Sequence, residues 1–313
     1  MKKVLLVICL LLSLVGCSSN SAKYNVGVIQ FAVHDALDNA TNGFVDALKA
    51  EFGDDINIDV QNAGGDGEKC GIFANGFVAD NVDLIMCNAT PALQVAKNAT
   101  KTIPILGTSV TEYGSALGID NFNGVVGTNI SGTSDKAPLD QQAQMLIDLL
   151  PNAKNIGIIY CTNEDNSIYQ FDAVSEYLIS KGLNVTAYGF SDTSTFNSVV
   201  DAAFSDSDAV FIPTDNTCAD NGDEIRKIAE KKNKPIIAGE KSILDATGGL
   251  ATLSIDYYEL GKSTGEMAIR VLKGEENISE MEIEYYTKLV KYCSKSKAEK
   301  FGITIPSDYA EID

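Results

Sequence analysis

The chain has 313 residues, with 43 acidic against 24 basic side chains and a formal net charge of −19. An acidic chain without a basic stretch argues against nucleic acid as a partner and keeps a surface protein soluble. With one histidine, His34, and no Cys-x-x-Cys, a zinc site has little support, and no metal or cofactor is expected.

The first residues, "MKKVLLVICLLLSLVGCSSN", combine two lysines, an apolar core and a small-residue cleavage context, which predicts a signal peptide over residues 1–16. Leu14-Val15-Gly16-Cys17 looks like a bacterial lipobox, in which Cys17 is lipidated and becomes the mature N-terminus. Residues 17–23 then form a polar tether, and no later apolar segment is long enough to span a membrane. Beyond Cys17 the cysteines are Cys70, Cys87, Cys161, Cys218 and Cys293, an odd number with no close pairing. Several end or follow strand-like runs, so buried thiols are expected in place of disulfides or metal ligands.

From Tyr24 onward the first half of the chain is echoed by the second. "YNVGVIQ" (24–30) matches "KNIGIIY" (154–160), "DLIMCNAT" (83–90) matches "DAVFIPTDN" (208–216), and "KTIPILG" (101–107) matches "NKPIIAG" (233–239). All three separations are close to 130 residues. Each half reads as alternating strands and helices, the signature of a parallel sheet with helices on both faces. In the first half Asp35 precedes an apolar stripe at Leu37, Ala40, Phe44, Ala47 and Leu48; Pro138 opens a helical pattern that Pro151 closes. Thr90 followed by Pro91 reads as a helix start, with Thr90 as its cap.

The fold class is therefore α/β, two Rossmann-like lobes with parallel sheets. Ligands of open parallel sheets bind beyond the carboxyl ends of the strands. That makes "NAT" and "PTDN" the expected opposed lips of one cleft. The segment "GGLATLSIDYYELGKSTGEMAIRVLKGE" adds a strand and an amphipathic helix, and "MEIEYYTKLVKYCS" adds extended structure before a last short helix. Chain that returns after both halves are complete crosses between lobes, and several crossings make a hinge. The expected division is residues 24–134 plus about 250–280 in one lobe and 135–249 plus about 281–313 in the other.

Taken together, "VGVIQFAVHDALDNATNGFVDAL", "ATPALQVAKNATKTIPILGTSVT", "IGIIYCTNEDNSIYQ", "VFIPTDN" and "GGLATLSIDYYELG" resemble an ABC-transporter substrate-binding lipoprotein of the tryptophan/tyrosine-type family. The resemblance runs from about Tyr24 to Pro306 and implies the type I periplasmic-binding-protein fold. It also implies a monomeric, non-enzymatic receptor held outside the membrane by its lipid, delivering an amino acid to an ABC permease and its ATPase. Family members usually carry an acidic residue and a proline around the histidine of the first loop, where this chain has Val33 and Asp35.

An α-amino acid presents a carboxylate, an ammonium and a side chain, so its site needs three environments. Thr90 with the helix amides after it, Ser109 and Thr111 are the candidates for the carboxylate, since hydroxyls and amides bind an anion without a buried counter-charge. For the ammonium, Asp215 and Glu240 both follow second-half strands. Strand-end position favours Asp215, and resemblance to leucine-type binding proteins of this fold favours Glu240. Asn166, Ser167 and Asn216 are further hydrogen-bonding candidates. Phe31, Tyr113, Tyr169 and Tyr257 are the candidates for apolar or π surface, and His34 for stacking or donation. The absence of Trp suits an importer component made when tryptophan is scarce, which ranks tryptophan first among aromatic ligands.

The chain offers no G-x-S-x-G and no His/Asp/Ser grouping around its histidine, so hydrolytic chemistry lacks its residues. The alternatives are a sensory lipoprotein and a binding protein for a sugar or nucleoside.

Overall fold

The structure is a computed structural model that describes residues 22–191 and 193–312. The expected signal peptide, the lipobox Cys17 and the start of the tether lie outside the described residues. Among the described residues no helix is long and apolar enough to cross a membrane.

The first lobe winds through β1 (Tyr24–Gln30), α1 (Asp35–Phe52), β2 (Ile56–Asn62), α2 (Gly67–Ala79), β3 (Leu84–Asn88), α3 (Thr90–Ala99), β4 (Ile105–Val110), α4 (Tyr113–Leu117) and β5 (Ile130–Ser134). The second follows as α5 (Leu139–Leu149), β6 (Asn155–Cys161), α6 (Asp165–Ser180), β7 (Asn184–Phe190), α7 (Thr193–Asp206), β8 (Ala209–Ile212), α8 (Asn216–Asp220), α9 (Gly222–Lys232), β9 (Ile236–Ala238), α10 (Lys241–Thr247) and β10 (Ala251–Ser254). The chain ends in α11 (Tyr257–Leu272), β11 (Glu284–Tyr285), β12 (Val290–Ser294), α12 (Lys295–Phe301) and β13 (Ala310–Ile312).

Strand order is β11-β5-β4-β3-β1-β2 in one sheet and β13-β12-β10-β9-β8-β6-β7 in the other. The repeat in the sequence is thus a repeat in space: β2-β1-β3-β4-β5 and β7-β6-β8-β9-β10 are the same parallel winding. Its central strands are apolar runs because helices cover both faces; β3 and β8 are buried along their whole length.

The last segments divide differently from the expected boundaries. Strand β10 completes the second sheet, because it directly follows α10 and buries Ala251 and Leu253 in that lobe's core. Helix α11 then packs on α1 in the first lobe, where Gly43 and Gly261 allow the two backbones to touch. Strand β11 pairs with β5 and Ile283 enters the first core, while β12 and β13 return to the second sheet. Three segments therefore cross between sheets: residues 135–138, 255–256 and 286–289. The last two meet in a small apolar cluster in which Tyr286 and Leu289 pack against Ala36, Ala40, Ile255, Tyr257 and Leu260. Cys70, Cys87, Cys161 and Cys218 are buried free thiols, and Cys293 is buried too.

Candidate ligand-binding cleft

The first-lobe lip is held by a buried polar lattice. Gln30 Nε2 donates to Ala32 O at 2.8 Å and to Asp38 Oδ1 at 2.5 Å, and its Oε1 accepts from Thr41 Oγ1 at 2.7 Å. Asn88 Nδ2 donates to Leu37 O at 2.7 Å and Thr41 Oγ1 at 2.9 Å. The first turns of α1 are thereby fixed on the ends of β1 and β3, and the loop bearing His34 overhangs the cleft. Asn88 is a structural member of "NAT". Thr90 is not the expected cap: Ala89 occupies that position at φ 90°, without a side-chain hydrogen bond, and Thr90 is the first helical residue. The cause is the Ala89 N–H, which bonds Thr108 O at 3.0 Å and carries strand pairing one residue past Asn88.

Strand β4 ends irregularly, its register shifting between Gly107 and Val110, with Ser109 at φ 53°. A left-handed serine is an uncommon conformation that persists only where its surroundings enforce it. Ser109 Oγ is buried without a hydrogen-bond partner.

On the second lobe the strand ends are acidic, and each acid caps a helix. Asp215 accepts from Cys161 N at 2.6 Å and Cys218 N at 2.7 Å. Glu240 accepts from Ser242 N at 2.5 Å, Ile243 N at 2.9 Å and the Ser242 hydroxyl. Glu164 accepts from Asn216 Nδ2 at 2.7 Å and Thr217 Oγ1 at 2.7 Å, as well as from both backbone amides. Because Asn216 Nδ2 is committed to Glu164, its Oδ1 faces His34 Nε2 at 3.1 Å, which makes Nε2 the donor. That bond bridges the lobes. A second bridge runs from Gln94 Nε2 to Asp165 Oδ2 at 2.6 Å.

Between the closed lips lies a narrow cavity with room for about one water. His34, Ser109 and Thr111 line it from the first lobe, and Asn166, Asp215, Asn216 and Glu240 from the second; Tyr257 lies beside the hinge. The remaining candidates lie elsewhere. Phe31 and Tyr113 are in the first-lobe core, where Tyr113 OH donates to Thr133 O, and Thr90 is buried outside the wall. Tyr169 packs on the second core with its hydroxyl on Lys136, and Ser167 is buried beside Asp215, outside the wall. These side chains fill space between sheet and helices, as apolar and small residues on the covered faces of a βα unit must.

Sequence reasoning passed over Ala36, Leu37, Asp135 and Thr214, which complete the wall, and Glu164, which organises the lip. Asp135 had a usable signal: like "PTDN", "ISGTSD" is a strand ending in small polar residues and an acid. Its Oδ2 accepts from Tyr257 OH at 2.9 Å, and its Oδ1 is buried with no partner. Burial pushes the Asp135 carboxyl up to about 6, opposed chiefly by the Tyr257 hydroxyl. Burial and then the neighbouring Glu164 push Asp215 up to about 7. Glu240 is also raised by burial, with His34 pulling it back. Among the described residues no lysine or arginine lines the cavity. A wall of desolvated carboxyls without a fixed counter-ion suits a ligand that brings its own positive charge.

Residues 25–310 match the model of the ABC transporter substrate binding protein family. The chain belongs to that family. A tyrosine-binding protein of Clostridioides difficile (strain R20291) is 37% identical over 279 residues, covering 84% of this chain and 80% of the relative. The ABC domain from Streptococcus pneumonia in complex with L-Trp shares 32% identity and superposes with a TM-score of 0.87, covering 93% of this chain and 99% of that one. A ligand-free, open substrate binding protein with adhesive properties from Clostridium difficile shares 36% identity and covers 92% of this chain and 99% of that one, but its TM-score is 0.70. This substrate-binding protein thus has the type I periplasmic-binding-protein fold, two α/β lobes with parallel sheets. With its lips bridged, it superposes more closely on the L-Trp complex than on the open, ligand-free protein, although the latter is nearer in sequence.

Proposed function

We propose that the chain is the extracytoplasmic, lipid-anchored receptor of an ABC importer, and that it closes over an aromatic α-amino acid and presents it to the permease. The observation that carries the amino-acid reading is the chemistry of the cleft wall, unpartnered Ser109 Oγ on one side and a carboxyl-rich wall on the other, which the lips must part to fill. Ser109 and Thr111 bind the carboxylate by hydroxyl and amide donation, and the acids hold the ammonium. An adjoining interlobe groove shares Ala36, Glu240 and Tyr257 with the cavity and adds Ile255 and the Tyr292 ring among mostly polar residues such as Asp35, Asn39 and Lys241, room for a side chain larger than the inner space.

The aromatic preference rests on the relatives, one named for tyrosine and one holding L-Trp. A sugar would leave the acid wall without a cation, so the amino-acid reading is preferred to the sugar one. The receptor is a monomer anchored through Cys17, and it has no catalytic role.

Thermal unfolding with a panel of the common amino acids tests this. L-tryptophan or L-tyrosine at 100-fold excess over its Kd should stabilise the protein by about 2.7 kcal/mol. No stabilisation by any aromatic amino acid at millimolar concentration removes the aromatic assignment.

A further inference from the structure

We propose that Asp135, at the hinge, receives the ammonium of the ligand in place of the strand-end acids Asp215 and Glu240, so that the amine is recognised before the lips meet. This rests on the zwitterion reading above and assigns the amine contact within it.

Acceptor capacity separates the acids. Asp215 has one oxygen on Cys161 N and the other on Cys218 N, both short bonds that cap α8 and tie it to β6. Glu240 spends both oxygens on the first turn of α10. Glu164 is saturated by Asn216 and Thr217. Asp135, only 5% exposed, has Oδ2 on Tyr257 OH and leaves Oδ1 buried and unpartnered in the cavity wall. Asn166 Oδ1 is buried and unpartnered in the same wall. Two buried acceptors without donors, one of them ionisable, describe a receptor for a group with several N–H donors and a positive charge.

Position separates them further. Asp135 is the first residue after β5 and opens one crossing between lobes; Tyr257 is the first residue of α11, just after another. Their hydrogen bond joins two of the three crossings at the pivot. A hinge motion parts lip residues such as His34 and Asn216, whereas groups on the pivot keep their mutual geometry. Asp135 therefore offers the same site to an amine in the open and closed forms. Its buried carboxyl otherwise holds a proton up to about pH 6, and the ammonium displaces that proton. The other ionisable groups on the wall are His34, Asp215, Glu240 and Tyr257.

The test is calorimetric titration of the protein with L-tryptophan and L-tyrosine and with their deamino analogues, indole-3-propionate and 3-(4-hydroxyphenyl)propionate, weak binders being read by competition. Asp135→Asn keeps the shape and removes the charge. It should weaken the amino acids about 30-fold or more, while the deamino analogues stay within about threefold. Asn216→Ala, which removes a lip bridge, should weaken both ligand types alike. Near pH 6, in buffers of different ionisation enthalpy, wild type should release up to about half a proton from Asp135 per amino acid bound, and Asp135→Asn should release correspondingly fewer. Far-UV circular dichroism and thermal unfolding of Asp135→Asn confirm that it folds. Unchanged amine selectivity in folded Asp135→Asn, or its loss in Glu240→Gln with Asp135 intact, overturns the assignment while the amino-acid function stands. Wild type that binds neither amino acid overturns the function and the assignment together.

Discussion

Replacing Gly261 by alanine should destabilise the first lobe, although alanine is the better helix former. A Cβ on Gly261 would stand 1.9 Å from Ala40 O and 2.6 Å from Ala40 C. The reciprocal position is as tight, since a Cβ on Gly43 would lie 2.0 Å from Tyr258 O, and one on Gly265 would lie 2.6 Å from Ala47 Cβ. These obstacles are mostly backbone, so no rotamer change relieves them, and α1 and α11 must part by more than about 1 Å to restore ordinary contact. Overpacking of this kind costs about 1–3 kcal/mol, against about 1 kcal/mol gained in helix propensity. The net loss is up to about 2 kcal/mol, a fall in Tm of up to about 8 °C. Gly76→Ala is the matched control: Gly76 lies inside α2, and a Cβ there would meet nothing within 4 Å, so it should gain up to about 1 kcal/mol. Urea unfolding should show the first-lobe transition moving and the second-lobe transition staying, because both helices belong to the first lobe. Binding should weaken too, since α11 begins at Tyr257, a wall residue. If Gly261→Ala proves as stable as Gly76→Ala, close helix packing does not position the hinge.

Three further outcomes follow from the site. Ser109→Ala removes the unpartnered hydroxyl and should weaken amino-acid and deamino ligands alike, by about 10-fold in calorimetry. His34→Ala removes the bridge to Asn216 and should act mainly on dissociation, raising koff several-fold in stopped-flow displacement with kon little changed. The ligand-free closed form should lose stability as pH rises. A carboxyl held above its ordinary value binds its proton longer in the fold than in the unfolded chain, so its contribution falls from about pH 4 to its folded value and is level above. For Asp135, moved from 3.8 to about 6, the loss at pH 8 is at most about 3 kcal/mol. Urea titrations at pH 5 and pH 8 should show a smaller drop for Asp135→Asn than for wild type; equal drops would refute the desolvation argument.

The topology was legible because it depends on local alternation that repeats. An apolar run such as Leu84–Cys87 followed by a helical pattern marks a βα unit wherever it occurs, and the second copy near 130 residues on marks the second lobe. The final crossings were harder to assign. "ATLS" and "EY" are too short to carry their own sheet preference, and only pairing with β9 and β5 decides which lobe receives them. Within the site, strand-end position brings Asp215, Asn216 and Glu240 to the cavity wall, because the carboxyl edge of a parallel sheet is defined by chain direction alone. Among the aromatics it brings only Tyr257 to the wall. Phe31 and Tyr113 also stand near strand ends, but whether a ring turns into the core or the cleft depends on helix packing that no local pattern encodes.

Asp135 was passed over for a related reason. It lies where the chain leaves one lobe for the other, so sequence alone makes it a boundary residue, and its chemistry emerges only when two crossings 122 residues apart in the chain meet through the Tyr257 hydroxyl. Strand-end acids are easily recognised from sequence, yet Asp215, Glu240 and Glu164 all have their oxygens committed to backbone amides. An acid that caps a helix is stabilised by the fold and has little acceptor capacity left for a ligand. The acid that the fold leaves short of donors, at the pivot and beside a second orphaned acceptor on Asn166, is the one whose burial a ligand's ammonium can offset.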